Sequence, residues 1–106
     1  QLLENTVFLE LVRRRYKVAT GKVDDKEVDF VVKGGDGMIQ YVQVAVTVAT
    51  REKFAQESAV FDAIQDNYPK YIITLDDAIV PERKGIQIVN VIDFMSERDK
   101  QLSPMA

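Results

Sequence analysis

Cysteine is absent from these 106 residues, and so is histidine. Without cysteine there is no disulfide and no thiolate metal site, a composition that fits an intracellular protein, so a cytoplasmic location is the expectation. Without histidine the chain lacks the commonest general base at neutral pH and the commonest zinc ligand. Any metal it holds is then a hard, oxygen-bound ion such as Mg2+. No apolar run approaches the roughly 20 residues of a membrane helix, so no membrane partner is expected. There is no internal repeat and no low-complexity segment. There is also no Gly-x-x-x-x-Gly-Lys-Ser/Thr loop, so nucleotide is not bound in that way. An excess of basic residues is lacking too. The net charge of −3 argues against a broad nucleic-acid-binding face, though not against a local patch.

What is present is an ordinary globular composition, 46% apolar and 29% charged, enough for one domain with a single modest core. The chain starts at Gln1, with no standard capping residue ahead of a helical pattern, so a fragment of a longer chain is the expectation. Residues 2–15 read as a helix, with Leu3, Val7, Phe8, Leu11 and Val12 on one stripe. Glu10 and Arg14, four apart, read as an exposed pair. Glu4 lies at the edge of the buried stripe. Its plainer reading is a first-turn acid favoured by the helix dipole, and its sharper one a carboxylate aimed at a site. The basic run Arg13-Arg14-Arg15 suits a helix end.

The centre of the chain is Glu27-Val-Asp-Phe through Gln43-Val-Ala45, two strands joined by Lys33-Gly-Gly-Asp-Gly37. Residues 16–23 form a strand before it, with Asp24-Asp25 as a two-residue turn. That turn sets Lys22 opposite Glu27 and Thr20 opposite Asp29. Alternation puts Val28, Phe30 and Val32 on one face and Glu27, Asp29 and Val31 on the other. On the next strand Val42, Val44 and Val46 share one face, and Tyr41, Gln43 and Ala45 share the other. Only one parity of pairing merges the valines, and it sets Asp29 beside Gln43. An even-numbered loop has the wrong parity, so three residues, Gly35-Asp36-Gly37, are expected, with a glycine at positive φ.

Thr50 suits an N-cap for a helix over 51–65, with Phe54, Ala55, Ala59, Phe61 and Ile64 facing inward. Asn67-Tyr68-Pro69 ends it. Residues 70–75 read as a buried strand, 76–85 as a loop, 86–90 as a fifth strand, 91–98 as a short helix and 99–106 as a fraying tail. The first three strands suit an antiparallel meander. The third and fourth, joined through a helix, suit a parallel crossover. The expected class is α/β, a sandwich of helices on a mixed sheet in the order α-β-β-β-α-β-β-α.

This order, with these acids, resembles the restriction-endonuclease-like fold, the PD-(D/E)xK superfamily, a three-layer sandwich. The resemblance implies a helical acid at Glu4, a strand aspartate at Asp29, and Gln43-Val-Ala45 where the family carries Glu-x-Lys. A closer similarity runs through Leu3-Glu-Asn-Thr-Val-Phe-Leu-Glu-Leu11, Glu27-Val-Asp-Phe-Val31, Val42-Gln-Val-Ala45, Asp66-Asn-Tyr-Pro-Lys-Tyr71 and Leu75-Asp76. These segments resemble the C-terminal domain of unknown function found on bacterial and archaeal AAA-type ATPases. That resemblance implies an ATPase module upstream as partner.

In an active member of the nuclease superfamily, carboxylates hold Mg2+, which activates water, and the lysine adds positive charge at the phosphate. Glu4, Glu27, Asp29 and Gln43 are the vestigial metal-site candidates. Gln43 offers only a neutral oxygen and Ala45 offers nothing, and losing one such electrostatic contact costs on the order of 10²–10³ in rate. Lys22 is the basic residue best placed to touch a substrate, although an ion pair with Glu27 is its plainer role. The expected function is therefore a non-catalytic nuclease-fold accessory domain of an ATPase, without a cofactor. Two alternatives stand beside it: a divergent Mg2+-dependent nuclease acting on DNA, and a homodimerisation module built on the last strand and helix.

Overall fold

The computed structural model describes residues 1–77 and 81–96. Its elements are α1 (Leu2–Arg13), β1 (Lys17–Val23), β2 (Lys26–Lys33), β3 (Ile39–Ala45), α2 (Arg51–Asp62), β4 (Lys70–Thr74), β5 (Glu82–Arg83), β6 (Ile86–Asn90) and α3 (Val91–Met95). The six strands form one mixed sheet in the order β1-β2-β3-β4-β6-β5. β1, β2 and β3 make an antiparallel meander, while β3, β4 and β6 run parallel. The α/β class, the meander and the parallel step through α2 are as expected. β5 was not, because two residues are too few to carry a period. It lies outside β6, so the last long strand is interior to the sheet and is not an open edge.

Helices cover both faces. Val7 and Leu11 of α1 meet Val91 and Phe94 of α3 over Phe30, Val32, Val42 and Val44. Phe54, Val60 and Phe61 of α2 pack on the other face against Val28, Ala45, Ile72 and Ile88. In β4 the neighbours Tyr71, Ile72 and Ile73 alternate between the two cores and are all buried, as a central parallel strand requires.

The β2–β3 hairpin closes as its parity demands. Gly34 N–H donates to Met38 O at 3.0 Å, Gly37 N–H donates to Gly34 O at 3.0 Å, and Gly37 sits at φ 83°. Residues 35–37 are thus the three-residue loop. In the β1–β2 hairpin Asp24-Asp25 is the turn and Lys22 faces Glu27. Beyond that the simple register fails. Gly21 faces Val28 but Ala19 faces Val31, so Asp29 and Phe30 together oppose Thr20. This β-bulge adds one residue to β2 and inverts the alternation. Val28 accordingly packs on the α2 side, while Phe30 and Val32 pack on the α1 side. The expected shared face of Val28, Phe30 and Val32 is corrected by that inserted residue. Val46, expected with the valines, lies beyond the end of β3 and is exposed.

The helices bring further corrections. α1 ends at Arg13, and Gln1 does cap it, its side-chain carbonyl accepting from Glu4 N–H. Phe8 and Val12 are largely exposed, whereas Glu10 and Arg14 are buried, at 5% and 1% exposure. Arg14 Nε donates to Glu10 Oε2 at 2.8 Å, its Nη2 donates to Phe94 O, and its guanidinium lies 4.3 Å from the centre of the Phe94 ring. The pair read as exposed is therefore the polar joint between α1 and α3. A surface pattern cannot reveal this, because the partner carbonyl is 80 residues away. Thr50 caps α2 as expected, accepting from Lys53 N–H. Ala55 is exposed, however, and Ser58 and Val60 take the inner face. α3 ends at Met95 with Ser96 as its C-cap, short of the expected 91–98, and the expected tail over 99–106 lies outside the described residues.

Candidate functional site

Where β2 and β3 diverge past the Phe30–Val42 pair, Asp29 and Gln43 clasp the two strands. Asp29 N–H donates to Gln43 Oε1 at 2.7 Å, and Val44 N–H donates to Asp29 Oδ2 at 2.8 Å. Each side chain thus bonds a backbone N–H of the other strand beyond the last paired residues, which satisfies backbone groups in a half-buried place. Gln43 Nε2 donates to Glu57 O at 3.2 Å, so the amide also ties the sheet to α2. Gln43 is engaged at both ends and buried.

Burial pushes the Asp29 carboxyl up to about 6, against the pull of the Val44 N–H. The negative charges of Glu4, Glu57 and Glu27 push it the same way as burial. The charged side chains acting on Asp29 are all acids. The structure brings Asp29 to Gln43, as the register argument expected, while Glu4, Glu27 and Glu57 of α2 act on Asp29 only through their charge. Glu57 was missed. Its only sequence signal is its place one turn after Phe54, on the rim of the buried face. Lys22 is not brought to Asp29: it faces Glu27 at the outer end of the hairpin, on the far side of the bulge. Ala45 is buried against α2, where a longer side chain would meet the core of Phe54 and Val60.

Among the described residues no group of three or more aspartate, glutamate, histidine or cysteine side chains is arranged to hold a metal ion. Donor chemistry at the clasp points the same way for Mg2+. Gln43 Oε1 is turned to a backbone N–H, Asp29 Oδ2 is turned to another, and Ala45 has no donor. Neither of those two oxygens is turned toward a site for that ion.

The other distinctive segments are joints. In Asp66-Asn-Tyr-Pro-Lys-Tyr71, Asp66 Oδ2 accepts from Tyr41 Oη at 2.5 Å, and Oδ1 accepts from Tyr68 N–H at 3.0 Å and Lys70 Nζ at 3.3 Å. Burial and the Asp66 carboxylate together push the Tyr41 hydroxyl up to about 12. This knot fastens the lead-in of β4 onto β3. At the other end of these strands, Asp76 accepts from Thr47 Oγ1 at 2.6 Å and Val48 N–H at 2.8 Å, and Asn90 Nδ2 donates to Asp76 O at 2.8 Å. Burial works to raise the Asp76 carboxyl, but the bonds from Thr47, Val48 and Thr74 outweigh it and hold the group below its ordinary value.

No family model matches the chain, and no solved structure matches it. An uncharacterized protein of Haemophilus influenzae is 40% identical over 93 residues, which cover 88% of this chain and 22% of that protein. The chain spans about a fifth of the length of that relative.

Proposed function

We propose that this chain is a nuclease-like domain kept without cleavage, an accessory domain of a longer protein. One observation carries the reading. Asp29 and Gln43, where the resemblance calls for metal ligands, are both turned to backbone amides and hold β2 to β3. A carboxylate that must bond a neighbouring strand is a poor ligand, and a neutral amide adds no charge to compensate. Ala45 supplies no cation to a phosphate and lies in packed apolar surroundings. The acids around Asp29 repel an anionic backbone such as that of DNA, and the charged side chains that act on Asp29 among the described residues are all acids. The length of the Haemophilus influenzae relative supports an accessory role, since most of that protein lies outside the matched part. The AAA-type ATPase resemblance makes an ATPase module the partner proposed within the same polypeptide.

The test is thermal unfolding in millimolar Mg2+ or Mn2+. A ligand bound by the folded state alone raises the melting temperature. The expected result is no rise for the parent chain, and a rise with Mn2+ in Gln43→Glu, which restores a carboxylate at the clasp. A rise in the parent that is lost in Asp29→Ala would overturn the proposal. So would metal-dependent nicking of plasmid DNA that disappears in Asp29→Asn.

A further inference from the structure

A hollow of about 450 Å³ lies where α1 gives way to β1 and β2 turns toward β3. Arg15, Lys17, Lys33 and the loop 34–37 line it, so three cations face one acid, Asp36. Lys17 and Lys33 are direct partners across the antiparallel ladder, where like charges repel. Among the described residues neither lysine nor Arg15 has an ion pair or a side-chain hydrogen bond. Arg15 follows the C-cap of α1 and sits at φ 68°, a left-handed conformation that glycine or asparagine takes more readily. The dipole of α1 favours a cation near its C-terminus, which accounts for Arg15. It does not account for Lys17 set opposite Lys33.

The loop keeps the hollow open. Gly34, Gly35 and Gly37 put no side chain into it, and a Cβ on Gly37 would meet nothing within 4 Å. Asp36 is folded back, its Oδ1 accepting from Met38 N–H at 2.9 Å. Among the described residues no aromatic or branched apolar side chain lines the space, so it offers no seat for an apolar body. Nor do the cations continue into a track. Arg13 is bonded to Glu10. Lys22 and Lys26 lie at the other end of the hairpin, roughly 16 and 23 Å along the strands, beside Asp24, Asp25 and Glu27. A nucleic-acid strand is held by a long basic groove with stacking rings. A compact cluster suits a small ligand whose negative charge is concentrated.

We propose that this hollow binds an oligophosphate, a group of two or more adjoining phosphates, either as the inorganic ion or as the tail of a small molecule. The Arg15 guanidinium forks onto phosphate oxygens, and the two ammonium groups neutralise the rest. The bound anion also removes the repulsion between Lys17 and Lys33. The hollow is roughly 13 Å along β2 from Asp29 and shares no residue with the clasp. It therefore stands apart from the nuclease-like reading.

Amide shifts in two-dimensional NMR spectra, followed as pyrophosphate is added at constant ionic strength, test it. The expected result is saturable shifts confined to residues 15–17 and 33–37. Lys17→Gln/Lys33→Gln should weaken binding roughly tenfold or more, and Arg15→Gln should weaken it as well. Lys22→Gln/Lys26→Gln removes the same charge outside the hollow and should leave the affinity within about twofold. The dispersion of each spectrum shows that the variant is folded. Absence of saturable shifts in the parent overturns the proposal. So does an equal loss of binding in the Lys22/Lys26 variant, the mark of general attraction to a cation. A single-stranded thymidine oligonucleotide that shifts these amides at a lower phosphate concentration than pyrophosphate also overturns it, since the hollow would then serve a strand.

Discussion

Arg14 has almost no exposed surface, yet it carries a full charge between Glu10, the Phe94 carbonyl and the Phe94 ring. Hydrogen bonds from Arg13 and then Arg14 outweigh burial and hold the Glu10 carboxyl below its ordinary value. Removing one member of a buried pair leaves the other uncompensated, at about 3–5 kcal/mol. Arg13 Nη2 also contacts Glu10 at 2.6 Å, so Arg14→Met should fall near the lower end, about 3 kcal/mol, in urea unfolding. Glu10→Leu/Arg14→Met, which removes both charges, should recover most of that loss. Asp29 behaves in the opposite sense. Its folded carboxyl is raised to about 6 from an ordinary 3.8, so the folded state holds the proton more tightly than the unfolded chain does. The stability this contributes is fully present below about 4 and is lost as pH rises through about 6. Glu10, Asp66 and Asp76, all held low, contribute stability above their ordinary range that disappears on acidification. The difference between Asp29→Asn and its parent isolates the Asp29 part. The amide keeps an acceptor for Val44 N–H without the charge. It should raise the melting temperature at pH 7.5 and change it little at pH 4, measured in paired melts.

The element that decides the site is the bulged β2. Its extra residue separates the Val28 face from the Phe30 face and swings Asp29 into the fork with β3. Gly21 lies opposite Val28, beside the bulge, and the geometry has no room for a larger residue. A Cβ there would come 2.6 Å from Val31 Cγ2 and 3.7 Å from Val28 Cβ. Val31 is β-branched and stiff about χ1, so it gives way poorly. Gly21→Ala should therefore lose about 1–3 kcal/mol, the usual cost of overpacking, by thermal or urea unfolding. Val31→Ala in that background should return part of it. The hairpin loop and the Thr50 cap were legible in the sequence, because loop parity and cap chemistry are local. The bulge was not legible. Glu27-Val-Asp-Phe-Val31 alternates as cleanly as any regular strand, and only Gly21 marked the neighbouring position. Whether a residue opposes one partner or two is a property of the pair.

Across the whole molecule one sheet is shared by two cores, one under α1 and α3 and the other under α2. β4 contributes Tyr71 and Ile73 to the first and Ile72 to the second, so neither core can loosen without disturbing the other. Phe94→Ala and Phe54→Ala each empty one core at a cost of about 3–5 kcal/mol. Both should shift a single cooperative transition, with far-UV circular dichroism and tyrosine fluorescence coincident in each variant. Two separate midpoints would mean that the layers melt independently.

The sequence by itself determined the class of fold, the meander, the parallel step through α2 and the meeting of Asp29 with Gln43. All of these follow from hydrophobic period and loop parity, which act over a few residues. Only the tertiary structure decided what those residues do once they meet. β3 faces Asp29 with the Val44 amide, α2 brings the Glu57 carbonyl to the other end of Gln43, and α3 closes over Glu10 and Arg14. These partners lie 14 to 80 positions away in the chain. The energy of a buried polar group depends on which partners fill its remaining bonds, and no local pattern encodes that.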